Sequence, residues 1–197
     1  MELNYMGKTF MKKLMLSLAV ALSITTSASA DSFTLGTGYG KEKITDTLSV
    51  DLFQVQGLYR FDSGLTLGGM MMKGFPDVNG VANEDRYEAI LGYTTRVNDF
   101  SPYAFVSKGI RDYLDSPKAS VDYYTVKVGT KYNLTDKIYT DVNYRFRDTD
   151  DIAWQTNTYT AGIGYNITPK LSVGINRGWQ RGDYDSEITS INFITRF

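Results

Sequence analysis

Ile191-Asn192-Phe193-Ile194-Thr195-Arg196-Phe197 is the stretch on which the fold turns. Apolar or small residues take every second position, and polar ones mostly fall between them. Alternation with a period of two marks a strand whose two faces meet different surroundings. The sequence stops on an aromatic with no polar tail, so the last strand is expected to be built into a sheet.

The other end carries an export signal. Lys12 and Lys13 make a positive region, Leu14 to Ile24 an apolar one, and Ala28-Ser29-Ala30 the small residues that a signal peptidase needs. The apolar run is too short for a spanning helix, which needs about 20 residues. Cleavage after Ala30 would leave Asp31 first. Met1 to Phe10 precede a second possible start at Met11, so they are either a misassigned start or a longer positive region. The expected organisation is an N-terminal extension and cleaved signal peptide over 1–30, then one domain over 31–197. No cysteine follows the cleavage point, which excludes a lipoprotein anchor.

Composition narrows the class. Thirty residues removed from 197 leave 167, enough for one domain. The absence of cysteine removes disulfides and thiolate metal sites. Losing Lys8, Lys12, Lys13 and Glu2 moves the formal charge from −1 to −3. That mild acidity argues against nucleic acid, whose readers carry basic patches. Mean hydropathy is −0.27, and no long apolar run follows the leader, so a helical membrane protein is excluded. Abundant tyrosine, phenylalanine and glycine fit strands with one face on lipid and one on a polar interior.

Ten such strands can be traced. They run over about 32–41, 48–61, 65–75, 86–97, 101–110, 121–132, 138–147, 157–166, 171–179 and 188–197. The sixth is typical, with Tyr124, Val126, Val128, Thr130 and Tyr132 opposite Tyr123, Thr125, Lys127, Gly129 and Lys131. The third, blurred by Met70-Met71-Met72, and the fifth have ambiguous facing, so Met70, Met72 and Lys108 cannot be assigned a side. Short turns near Ser63, Asp99, Asp136 and Pro169 alternate with longer polar loops over 42–47, 76–85, 111–120, 148–156 and 180–187. That rhythm belongs to an up-and-down, membrane-spanning antiparallel β-barrel of ten strands, with eight as the alternative if the third or fifth is misread. An even number puts both termini on the periplasmic side.

The leader ending Ala28-Ser29-Ala30, the alternating strands punctuated by Tyr and Phe, and the close on Phe193-Ile-Thr195-Arg-Phe197 resemble the small Gram-negative outer-membrane β-barrels. This is the porin-like superfamily that includes the outer membrane protein A transmembrane domain. The resemblance covers 31–197 and implies residence in the bacterial outer membrane, among lipid and lipopolysaccharide. It also implies that Ile191, Phe193 and Phe197 serve as the signal read by the barrel assembly machinery. It says little about activity, because one fold hosts many functions.

The chain contains no histidine. Without histidine or cysteine, nucleophilic catalysis would need a lysine or carboxylate base. Glu88 and Asp141 could form an acid–base pair, but salt-bridge partners in a polar interior are the plainer reading, and the chain is not expected to be an enzyme. No cofactor or metal is expected. Asp148-Thr-Asp150-Asp151 lacks the glycine and distal glutamate of a calcium loop.

The inward set on the clearer strands is Arg60, Glu88, Arg96, Lys127, Lys131, Asp141, Arg145, Arg147 and Arg196, seven bases and two acids. Charge facing lipid near the midplane costs about 2–4 kcal/mol for Arg or Lys, which favours the inward assignment. The expectation is a narrow porin-like channel for ions or small anionic solutes, with a basic lumen in which inward glycines leave room for water. The alternative is a plugged structural or surface-interaction barrel, filled by side chains as small barrels are. Arg177 shares a face with Leu171, Val173, Ile175 and Trp179. Either it snorkels to lipopolysaccharide headgroups beside Trp179, or a local bulge turns it inward.

Overall fold

The computed structural model describes residues 30–78, 83–113, 120–149 and 155–197. Ten strands follow one another: β1 Ala30–Lys43, β2 Ser49–Phe61, β3 Leu65–Pro76, β4 Glu84–Thr94 and β5 Phe100–Tyr113, then β6 Ser120–Asn133, β7 Ile138–Thr149, β8 Thr156–Asn166, β9 Leu171–Gly182 and β10 Ser186–Arg196. Each is antiparallel to its sequence neighbours, and β1 pairs with β10 to close a barrel. The closing seam runs from Thr34 opposite Arg196 to Lys43 opposite Glu187. Ten strands stand, and the eight-stranded alternative falls. The leader over 1–29, including Ala28, lies outside the described residues; Ala30 opens β1, opposite Phe61.

Closure satisfies every strand edge inside the wall, which is what lets a sheet cross hydrocarbon. The outer face is apolar. Leu35, Val55, Leu91, Val106, Val142, Ile163 and Ile175 are all exposed on it. Aromatic rings gather towards both ends of this band. Near the loop end, Tyr39, Phe53 and Phe75 form a chain of ring contacts, and Tyr144 meets Tyr159. Near the turn end, Phe33 meets Phe197 and Phe100 meets Tyr132. An apolar band between two aromatic girdles is the exterior of a barrel that spans a membrane.

The two ambiguous strands now have sides. In β3, Met70 and Met72 are buried inside while Leu65 and Phe75 are exposed outside. In β5, Tyr103, Phe105 and Ser107 face inward, and Lys108 points out with its side chain 76% exposed. Methionine blurred β3 because both of its faces are apolar.

Strands run further than alternation indicated. The expected loop over 180–187 shrinks to 183–185, and that over 42–47 to 44–48. At the loop end both faces carry polar side chains, so alternation fades while the backbone ladder continues. Parts of the other three loops, 79–82, 114–119 and 150–154, lie outside the described residues, and with them Asp150 and Asp151. At the turn end, β4 stops at Thr94, short of the expected Val97. Asn98 takes a φ of 56° beneath a bridge between Val97 and Phe100.

Candidate functional site

The lumen is defined by side-chain bonds that skip a strand, which only the concave interior permits. Tyr103 Oη on β5 donates to both oxygens of Asp141 on β7, at 3.0 and 3.1 Å. Tyr123 Oη on β6 donates to Glu88 Oε1 on β4 at 2.8 Å, and Ser107 Oγ donates to Glu88 Oε2 at 2.9 Å. Asn143 Nδ2 adds a third bond to Asp141 at 2.8 Å. Glu88 and Asp141 were expected to form salt bridges with lumen cations. Among the described residues their partners are instead hydroxyls and an amide. The two carboxylates do not bond each other, and each is held in place by its own tyrosine.

The expected lumen residues fall into two tiers. Towards the turns, Lys131 stands opposite Asp141 in the β6–β7 register, and Arg196 stands opposite Thr34 at the closing seam. Lys131 sits 3.7 Å over the Tyr139 ring. Arg96 lies past the end of β4 and donates from Nε to the Asn98 carbonyl at 3.2 Å, so it belongs to the rim rather than the wall. Arg60, near the end of β2, shares its inner face with Val50 and Leu52. Midway up, Lys127 stands opposite Arg145 in the β6–β7 register, and Thr125 stands opposite Arg147. Arg145 Nη2 donates to Thr158 Oγ1 at 3.1 Å, and Arg147 stacks 5.1 Å from the Tyr123 ring centre.

A third tier, at the loop end, was missed. Glu84 bridges Arg86, at 2.5 Å, and Arg111. Beside it Ser186 Oγ donates to Glu42 Oε1 at 2.7 Å, and Gln180 Nε2 donates to Ser186 Oγ at 3.2 Å. These groups are buried, Gln180 to 1% exposure. They fell in segments read as loops or at the very start of a strand. Stepping by two from Glu88 would have found Arg86 and Glu84.

The interior is also less polar than expected on one wall. Val50, Leu52, Met70, Met72 and Ile90 form a buried cluster, with Ile44, Leu58, Phe105 and Ile188 packed against it. Nor do the inward glycines all leave free space. Tyr103 covers Gly129, Tyr123 covers Gly109 and Tyr139 covers Gly164, each pair directly opposite in register. Gly162 is covered by Asn176, and only positions such as Gly36 stand clear.

On the exterior, the ladder runs unbroken through Arg177, opposite Ala161 on one side and Thr189 on the other, so no bulge turns it inward. Its Nη2 meets Glu187 Oε2 at 2.6 Å, and its guanidinium lies 5.9 Å from the Trp179 ring. A hollow of about 480 Å³ opens on this same outer face, between Val128, Val142, Tyr144, Tyr159, Ala161 and Trp179. At the loop rim the Lys43 ammonium, 2.7 Å from Asp46, holds that carboxyl below the usual range. Ile191 and Phe193 of β10, and Phe197 just after it, are exposed on the outside.

No protein-family model and no curated protein matches this chain. Solved structures do match it in shape. The KdgM porin superposes with a TM-score of 0.51 at 15% identity, over 82% of this chain and 99% of that one. The same porin in complex with disordered oligogalacturonate gives 0.52 at 14% identity, with the same coverage. The translocator domain of autotransporter NalP from Neisseria meningitidis gives 0.50 at 8%, over 98% of both chains. The fold is that of an outer-membrane β-barrel. Identities this low carry the architecture of such a barrel and leave its cargo to the lumen.

Proposed function

We propose that this barrel resides in the bacterial outer membrane and works as a narrow porin-like channel for ions or small anionic solutes. One observation carries the reading: the basic excess of the interior. Among the described residues, Arg60, Arg86, Arg111, Lys127, Lys131, Arg145, Arg147 and Arg196 share the inner face with only Glu42, Glu84, Glu88 and Asp141, and Arg96 adds a further positive charge at the rim. A wall of one sign raises the local concentration of counter-ions and selects them by charge. The KdgM porin's complex with oligogalacturonate supports a solute-passing role over a purely structural one. The buried tier around Glu84 and Gln180 is then the constriction, and passage requires its side chains to part.

The alternative reading is a plugged barrel without transport. Planar bilayers separate the two. Reconstituted protein should give discrete conductance steps, with a reversal potential in a salt gradient that favours anions. Absence of steps would sink the channel, and cation preference would sink its basic mechanism. In keeping with the channel reading, no catalytic role is proposed for the barrel. Phe193, Phe197 and Ile191 are proposed as the assembly signal, and Arg177 with Trp179 as the contact to lipopolysaccharide headgroups. Residues 1–30 are proposed as the extension and signal peptide, with cleavage after Ala30.

A further inference from the structure

We propose that Lys127, Arg145 and Arg147 form a discrete binding site for one small oxyanion, set in the wall between β6 and β7. The inference deepens the reading of the lumen as an anion path, and rests on it for the route by which the anion arrives.

Three cations share one patch of the inner face. Lys127 lies directly opposite Arg145, and Arg147 follows two residues along the same strand. Like charges placed opposite one another destabilise a sheet unless something compensates them. Among the described residues, no carboxylate comes within 4.0 Å of any of the three. The nearest candidates are engaged elsewhere: Glu88 by Tyr123 and Ser107, Asp141 by Tyr103 and Asn143.

The donors are left over as well. Arg145 Nε, and both Nε and Nη2 of Arg147, are buried and make no hydrogen bond; Thr125 Oγ1, across from Arg147, is in the same position. Arg147 is only 4% exposed. Arg145 has the single acceptor Thr158, and Arg147 has the face of the Tyr123 ring. Neither has a carboxylate within 4.0 Å among the described residues, which leaves buried charge at a cost that these contacts offset only in part. What they lack defines the ligand. A neutral sugar offers oxygens without charge, and chloride offers charge on one centre without spaced oxygens. A phosphate, sulfate or carboxylate offers both, in the spacing that a guanidinium fork accepts.

The test uses the folded barrel in zwitterionic detergent. Inorganic phosphate is titrated at constant ionic strength, with chloride as the balancing salt. The readout is the temperature at which the compact, heat-modifiable form is lost on a gel. Phosphate should raise that temperature saturably. Arg147→Gln and Arg145→Gln should raise the half-saturating concentration at least tenfold, while Arg177→Gln, on the exterior, should leave it unchanged. Without phosphate, Arg147→Gln should hold or raise the wild-type temperature, because it removes an uncompensated charge; a merely structural arginine would lower it. If Arg147→Gln does not fold, Lys127→Gln carries the same comparison. Acetate in place of phosphate separates carboxylates from phosphate, and dependence on Arg147 with either one supports the site. A response that never saturates, or that survives both arginine variants unchanged, would overturn it. A conducting barrel without this response loses the site and keeps the channel. A saturable response in a barrel that never conducts does the reverse.

Discussion

Tyr139 lies over Gly164, and the ring also carries the ammonium of Lys131 at 3.7 Å. Gly164→Val would drive the ring aside and uncouple that cation. Urea unfolding in lipid should show a loss of about 1–3 kcal/mol, the usual cost of overpacking. At Gly36 an added Cβ would meet nothing nearer than 3.8 Å. Gly36→Ala should stay within about 0.5 kcal/mol of wild type. Charge obeys the same contrast between inside and outside. Glu84→Gln leaves Arg86 and Arg111 buried without their shared counter-charge and should cost about 3–5 kcal/mol. Arg177→Gln breaks a pair whose side chains are half exposed and should cost less than about 1 kcal/mol in the same assay. That these glycines face inward was legible from alternation. That tyrosines fill the space above them was not, because pairing partners depend on the register between strands, which no single strand encodes.

Among the elements, the tight turns were the most legible. Asp62-Ser63-Gly64 turns where its composition says it should, with Gly64 at a φ of +89° and its N–H donating to Phe61 O at 2.8 Å. A side chain there would be strained and would press on the Thr94 carbonyl. Gly64→Ala should therefore lower the urea midpoint by the equivalent of about 1–2 kcal/mol, without changing the fold. Strand number and facing followed from alternation wherever one face met lipid and the other the interior. β3 resisted because Met71 outside and Met70 and Met72 inside look alike in sequence. The loop ends resisted for the opposite reason: above the girdle both faces are polar, so the pattern fades where pairing does not. The missed tier of Glu42, Glu84, Arg86 and Arg111 sits in that zone.

At the scale of the molecule, the barrel sorts chemistry by parity, and neighbouring residues of β2 expose the sorting. Val55→Arg would put a guanidinium on the lipid face, where Val55 is 49% exposed, and should cost about 2–4 kcal/mol in bilayer unfolding. Gln56→Arg adds the same group one residue on, inside. It should cost less than about 1 kcal/mol and shift the reversal potential further towards anions. The closing seam has a different kind of consequence. Every other strand pairing is a hairpin between sequence neighbours, while β1 with β10 alone joins segments far apart in the chain. There the Phe197 N–H already reaches the Phe33 carbonyl at 2.9 Å. Topologically the molecule is a ring with one link missing. A short linker from Phe197 to Asp31, with the chain cut between Asn98 and Asp99, should yield a circular permutant that keeps the strand order around the wall. The order of strands around the wall is fixed by their faces and registers; the order in which the ribosome delivers them is free.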